Sequence, residues 1–372
     1  MKTYFVTGAT GAIGSALVPI LLRDPATRAI LLLRAKSPDE LQERVEELFR
    51  FWDIPVTDQG QRNRVTALAG DVTKPRLGLN ESSYNDVVSQ CTHIIHAAGN
   101  VRMNLPIEQA RHSSVDSARN ILALARACGQ LEKVEFVSTV GVGGRSHGTV
   151  QESWISTPRE FHNTYEQAKA EAEEVIHAEV LAGLPLTVHR PSMVVGDTDT
   201  GRIIHFQVFY HLCEFLSGKR TLGLAPNFGR ARLDIIPADC VAGIIAWSST
   251  SKKTIGRILH ACSGPELALP LDKLRSQIRK IYSANRISMP SVISLSPGIF
   301  RTILGAVSLF MPSDVRRAIK TLPVFLDYLA TEQTFANVET RALLAEAGLA
   351  IPSPDGYLGK VLDYYLRHKK VA

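Results

Sequence analysis

Residues 3–14 read TYFVTGATGAIG: five residues suited to a buried strand, then glycines at 8, 11 and 14, then the start of an apolar helix. A chain that passes so abruptly from strand to helix needs positions where no Cβ obstructs the backbone. It also leaves the first helical N–H groups pointing out of the turn, where they attract anions. The pattern that follows repeats the alternation. Residues 29–34, 64–70, 92–98, 133–139 and 185–190 predict strands. Residues 12–23, 39–52, 106–128 and the run from Tyr165 to about Leu181 predict helices. The helix at 39–52 carries its apolar stripe on Leu41, Val45, Leu48, Phe49 and Trp52. Pro19 removes one backbone bond from the first helix and predicts a kink. Apolar strands alternating with helices predict an α/β fold, a doubly wound, mainly parallel sheet covered on both faces. The alternation loosens after about residue 195. The expected division is therefore a dinucleotide-type domain over 1–195, with a returning segment at about 228–262, and a smaller, mixed and partly helical substrate lobe over 196–372.

Composition narrows the function classes. The 372 residues are 45% hydrophobic and 21% charged, enough for a sizeable core. The net charge of +6 suits anionic ligands. The nearest basic clusters are Arg316, Arg317 and Lys320, and the tail Arg367, His368, Lys369 and Lys370; neither interleaves with aromatics, which argues against nucleic acid. Five scattered cysteines show no metal-ligand spacing, and their odd number argues against a disulfide framework, so a reducing cytoplasm is expected. The chain begins directly in a strand, with no secretory leader expected. The apolar run 291–312 is interrupted by Pro297 and Arg301 and reads as a buried or docking helical segment rather than a span; peripheral membrane contact stays open.

The glycine loop between strand and helix is the geometry that receives a dinucleotide pyrophosphate, which assigns Gly8, Thr10, Gly11, Ala12, Ile13 and Gly14 to a cofactor. A site for NAD favours an acidic residue at the end of the second strand. Here stands Arg34, with Lys36 close by, and a guanidinium suits a 2′-phosphate, so NADPH is the expected cofactor. Arg44 on the next helix is either a second phosphate contact or a solvated arginine.

Further motifs follow in order: GDV at 70–72, HAAG at 96–99, STV at 138–140, Tyr165 and Lys169 four residues apart, RPSMVVG at 190–196 and DIIPADCVAGII at 234–245. Together with TGATGAIG, they resemble the extended short-chain dehydrogenase/reductase family. LLLRAKSPDELQERVEELF, AGDVTKPRLGLNESSY and FVSTVGVGG are similar to its thioester reductase and fatty acyl-CoA reductase branch. The resemblance implies an extended Rossmann fold and an oxidoreductase. It places Asp71 and Val72 at the adenine, and Ala97, Ala98, Gly99 and Val101 beside the cofactor. Pro191, Ser192 and Met193 fall near the nicotinamide, and Thr139, Tyr165 and Lys169 form the catalytic set. It implies NADPH-dependent reduction of an acyl thioester, on coenzyme A or a carrier protein, to aldehyde or alcohol. Two positions depart from the family. Ser114 stands where an asparagine usually orders a water-linked proton path, and Ala168 replaces the common serine before the lysine. Glu173 matches the acidic position further along.

The chemistry of these residues is consistent with that implication. Hydride addition puts negative charge on a carbonyl oxygen, which needs a proton donor. A phenol with its ordinary pKa near ~10 is a poor one near neutral pH. The expectation is that the Lys169 ammonium lowers it and also holds the cofactor ribose. The resemblance prefers Thr139 to Ser138 for the substrate carbonyl, and strand alternation, which turns the two to opposite faces, makes the other structural. On the substrate side, Phe206, Phe209, Tyr210, Leu212, Phe215 and Leu216 either line an acyl pocket or form a core helix, with the core reading favoured. His205 and His211 read as solvated or capping. The apolar stretch 291–330 either closes over a lipid-like chain, mediates docking, or belongs to the core. Rival functions are a nucleotide-sugar epimerase or dehydratase, a hydroxysteroid-type alcohol dehydrogenase, and a non-catalytic NADPH sensor. Oligomeric state is not readable.

Overall fold

In the computed structural model, residues 1–369 are described apart from 222, 297, 301 and 303–332. The first strands are β1 (Lys2–Thr7), β2 (Thr27–Leu33), β3 (Val65–Ala69), β4 (His93–His96) and β5 (Lys133–Val137). With β6 (Gly148–Val150) and β7 (Leu186–Pro191) they complete the strands of the first half. One seven-stranded sheet has the order Ile258–Ala261, β7, β5, β4, β1, β2, β3, and every pairing is parallel. The order reverses between β1 and β4. Loops leave the sheet in opposite directions there and open a crevice at the strands' carboxyl ends.

The helices that accompany these strands are α1 (Ala12–Leu21), α2 (Pro38–Phe51), α3 (Gln59–Arg62), α4 (Glu81–Gln90), α5 (Ile107–Arg111), α6 (Ser117–Ala127) and α7 (Thr164–Leu181). Each sheet face has its own apolar layer. On one face, Leu17 and Val18 of α1 and Leu48 and Phe49 of α2 pack with Val241 and Ile245 of the helix Ala238–Thr250. On the other, Val87 of α4, Ile121 and Leu124 of α6 and Ile176 of α7 cover Phe5, Ile94 and Val134. Strands buried on both faces need no polar alternation, which is why β1 and β2 read as continuous apolar runs.

The α1 helix runs through Pro19 as one element from Ala12 to Leu21. Proline has no N–H for the carbonyl four residues back, which is that of buried Ser15. The Trp52 indole fills the gap: its Nε1–H donates to the Ser15 carbonyl at 2.8 Å. The helix expected over 106–128 is broken by a π-helical turn, His112–Asp116, between α5 and α6. Such turns insert one residue and redirect the side chains around them.

A third apolar cluster gathers the helices Val208–Leu216, Leu271–Ala284 and Pro354–His368. Phe209, Tyr210, Leu212, Phe215 and Leu216 are all buried in it, as core rather than pocket lining. The chain crosses back late. The strand Gln333–Phe335 pairs with β6, and the Thr340 hydroxyl accepts from the His260 N–H at the sheet edge. Of the apolar stretch 291–330, Ile293–Leu295 pairs with Leu224–Pro226 and Phe300 is buried. Residues 303–330 lie outside the described residues, as do Arg316, Arg317, Lys320 and Lys370. Among the described residues no helix is long and apolar enough to cross a membrane.

The Trp52–Ser15 contact sets a stability test. Trp52→Phe keeps most of the ring but leaves a buried carbonyl without a donor, at a cost of about 1–3 kcal/mol. Urea unfolding should show that loss at an unchanged m-value.

Candidate active site

A cavity of about 800 Å³ lies along the carboxyl ends of β1, β2, β4, β5 and β7, within the size range of cofactor and substrate sites. Its floor depends on the glycine loop. Gly8 has φ +79°, and a Cβ there would lie 2.6 Å from the Ala97 backbone at the end of β4. A Cβ on Gly14 would lie 2.2 Å from the Gly8 carbonyl oxygen. The loop is therefore pressed between β4 and the first turn of α1. That turn has no side-chain cap and no acidic residue, so its N–H groups face the cavity uncompensated.

Every residue assigned to the cofactor from sequence lines this cavity, and so does Thr139. Arg34 is exposed at the end of β2. Arg44 also lines it, with its guanidinium 3.1 Å from Glu40 one turn back, so it is both a cavity residue and a paired helix arginine. Burial raises the Asp71 carboxyl, but the Thr73 N–H and hydroxyl at 2.9 Å and the nearby Arg34 outweigh it, and the net shift is downward. The Asp71 N–H donates to the carbonyl of Leu77, a fully buried leucine at φ +60°. That strained contact explains the Leu-Gly-Leu after the aspartate: Leu77 anchors the loop in the core, and Gly78 continues it at φ +67°.

The Tyr165 helix starts at Asn163, whose side chain accepts the Glu166 N–H at 3.0 Å. This cap fixes where Tyr165 and Lys169 emerge. Lys169 is buried and its Nζ donates to the Val137 carbonyl at 3.0 Å. A Cβ on Gly99 would lie 3.4 Å from that ammonium. Burial lowers the lysine to about 8, opposed by Glu173. The Tyr165 phenol is pushed up to about 12, first by burial and also by the Glu166 charge, while a hydrogen bond with the Thr139 side chain acts against this. The expected lowering by Lys169 is thus corrected. The ammonium is tied to a strand carbonyl, and desolvation dominates the phenol. Thr139 and Ser138 both reach the cavity, because β5 ends at Val137 and strict alternation ends with it. Ser138 Oγ is buried there without a partner.

The π turn bears on the doubtful proton path. The Ser117 hydroxyl donates to the carbonyls of both Ser113 and Ser114, and Ser113 rather than Ser114 lines the cavity. Glu173 pairs with fully buried Arg190, holding α7 to β7.

The sequence did not single out Arg102, Met103, Ser113, Glu166, Gln207 and Val208; His205, read as solvated or capping, is exposed and also lines the cavity. The Asn163-x-x-Glu166 spacing of a capping box was the one signal for Glu166. Arg102, Met103 and Gln207 come from loops, Ser113 from the π turn, and Val208 from the first position of the helix Val208–Leu216.

The chain belongs to the NAD-binding family described as male sterility protein, whose model matches residues 6–245, in the thioester reductase branch of the extended short-chain dehydrogenase/reductases. It is 30% identical over 201 residues, 53% of its length, to an isonitrile lipopeptide synthase of Streptomyces coeruleorubidus. It is 24% identical over 370 residues, 97% of its length, to a component of the linear gramicidin synthase of Brevibacillus parabrevis. These alignments span only 13% and 7% of the two larger proteins. In fold it is similar to the terminal R domain from the myxalamid PKS-NRPS biosynthetic pathway, with a TM-score of 0.82 at 24% identity, covering 99% of this chain and 91% of that one.

The close approach at Gly14 gives a direct check. Gly14→Ala forces the loop and α1 apart, and overpacking of this kind costs about 1–3 kcal/mol. Thermal melting should fall, and the fluorescence titration of a bound nicotinamide dinucleotide should show weakened affinity.

Proposed function

We propose that this protein is an NADPH-dependent reductase of acyl thioesters, carried on a carrier protein or coenzyme A. The observation that carries the reading is the convergence of Thr139, Tyr165 and Lys169 on the cavity that the glycine loop floors. The nicotinamide supplies a hydride to the substrate carbonyl when bound. The Thr139 hydroxyl and Tyr165 phenol bind the carbonyl oxygen and stabilise the charge that grows on it. Tyr165 donates its proton there, and Lys169 orients the ribose and replenishes charge close by. The resulting hemithioacetal collapses to an aldehyde and a free thiol. Arg34 and Arg44 favour the 2′-phosphate and hence NADPH over NADH. The relatives named as synthases, and the terminal R domain, support a carrier-bound substrate. The division into a cofactor domain to about residue 195 and a substrate lobe beyond it is part of the proposal. So is a cytoplasmic setting, in which the five cysteines, all free thiols in the structure, stay reduced.

NADPH oxidation against a panel of acyl-carrier thioesters, acyl-CoAs and aldehydes tests the reading; no consumption with any of them sinks it. Tyr165→Phe is expected to cut kcat by about 10²–10⁴-fold while sparing NADPH binding, and retained turnover would remove Tyr165 from its role. Arg34→Asp should weaken NADPH by roughly tenfold or more relative to NADH. Equal effects on both would make the arginine a surface residue.

A further inference from the structure

Glu166 follows the phenol directly in sequence, yet it is turned inward. It is 2% exposed and lines the cavity. Its Oε2 accepts the His162 N–H at 3.0 Å and lies 3.0 Å from His162 Nδ1. Its own N–H donates to Asn163 Oδ1 at 3.0 Å. On the other side it meets the turn Val140–Gly143 that follows β5. A Cβ added to Gly141 would lie 3.0 Å from Glu166 Cγ, 3.4 Å from Glu166 Oε1 and 3.4 Å from Thr139 Oγ1. The Gly141 N–H in turn donates to the Thr139 hydroxyl at 3.1 Å. Gly141 therefore sits between the Thr139 hydroxyl and the Glu166 carboxylate, where a side chain would fit only if Glu166 gave way by a few tenths of an ångström.

A glutamate that only completes a capping box does its work at the helix start. This one also touches the turn that holds Thr139. We infer that Glu166 is a positioning residue for the reduction, clamping the Thr139–Gly141 turn against the start of the Tyr165 helix so that hydroxyl and phenol converge on one carbonyl oxygen. The inference rests on the reductase reading above. Its second consequence is electrostatic. Besides Glu166 and Lys169 on its own helix, the cavity that the phenol lines carries Arg34, Arg44, Asp71, Arg102 and His205, and His162 Nδ1 lies 3.0 Å from the Glu166 carboxylate. Glu166 and Asp71 are the carboxylates of this lining, and Glu166 is the one on the phenol's own helix. The Glu166 charge favours the protonated phenol, as its direction of effect on Tyr165 indicates.

The experiment compares wild type, Glu166→Gln and Glu166→Asp on whichever carbonyl substrate the wild type reduces best. A wrong substrate class then overturns the functional reading and leaves this comparison intact. Glutamine preserves the cap but removes the charge. The expected result for Glu166→Gln is a fall in kcat of about tenfold, unchanged NADPH affinity, and an alkaline limb of the kcat profile moved down by about half a pH unit or more. Glu166→Asp keeps the anion one methylene further back. It should lower kcat and leave the alkaline limb near the wild-type position. A Glu166→Gln enzyme with wild-type kcat and pH profile would reduce Glu166 to a helix cap and overturn the inference, as would a loss confined to KM. If circular dichroism shows that Glu166→Gln is unfolded, the aspartate variant decides alone: reduced kcat supports the clamp, and wild-type kcat overturns it.

Discussion

The close approach of three backbone segments at the switch point governs the rest of the molecule. Gly8, Gly14 and Ala97 meet at distances that no Cβ would tolerate. That contact sets the first turn of α1 against the ends of β1 and β4. The uncapped N–H groups of α1 then face a crevice rather than solvent. Everything that lines the cavity is placed relative to this floor: Arg34 and Asp71 from strands on one side, and Thr139 and Pro191 from strands on the other.

The second constraint is the burial of charge. Lys169, Glu173, Arg190 and Glu166 are all buried, and such groups persist only when paired and hydrogen-bonded. Arg190 is met by both carboxylate oxygens of Glu173, Lys169 by the Val137 carbonyl, and Glu166 by His162. These contacts tie α7 to β5 and β7 along its inner face. The helix that carries the phenol is thereby held by polar contacts as well as by Ile176 and its apolar neighbours. The low dielectric that makes these pairs costly to break also sets the acidities of Tyr165 and Lys169. Desolvation moves the two groups toward their neutral forms, the phenol up and the ammonium down.

Much of this was legible in the sequence because it follows from local rules. Continuous apolar runs alternating with helices marked the parallel strands, and the glycine spacing marked the floor of the cavity. The order of motifs placed Asp71, Thr139, Tyr165 and Lys169 on successive strand ends and one helix. The parts that were not legible depend on contacts distant in sequence. Pro19 announced a missing bond, but nothing nearby revealed that Trp52 would answer it. The π turn at His112–Asp116 has no sequence period to betray it. The Tyr165–Lys169 pair invited an argument from spacing, and burial proved the larger effect. Glu166 showed its capping role through Asn163, but its contact with Gly141 exists only once β5 and α7 have packed.

The proposed function requires that a bound nicotinamide give its hydride to a thioester carbonyl whose oxygen Thr139 and Tyr165 hold. The most direct measurement uses NADPH deuterated at the reactive C4 position, with an acyl thioester as substrate. Mass spectrometry of the trapped aldehyde follows. The expected product is one mass unit heavier, with one deuterium on the former carbonyl carbon and an equivalent of thiol released. Unlabelled aldehyde, or labelled NADPH recovered intact beside unreacted thioester, would contradict it.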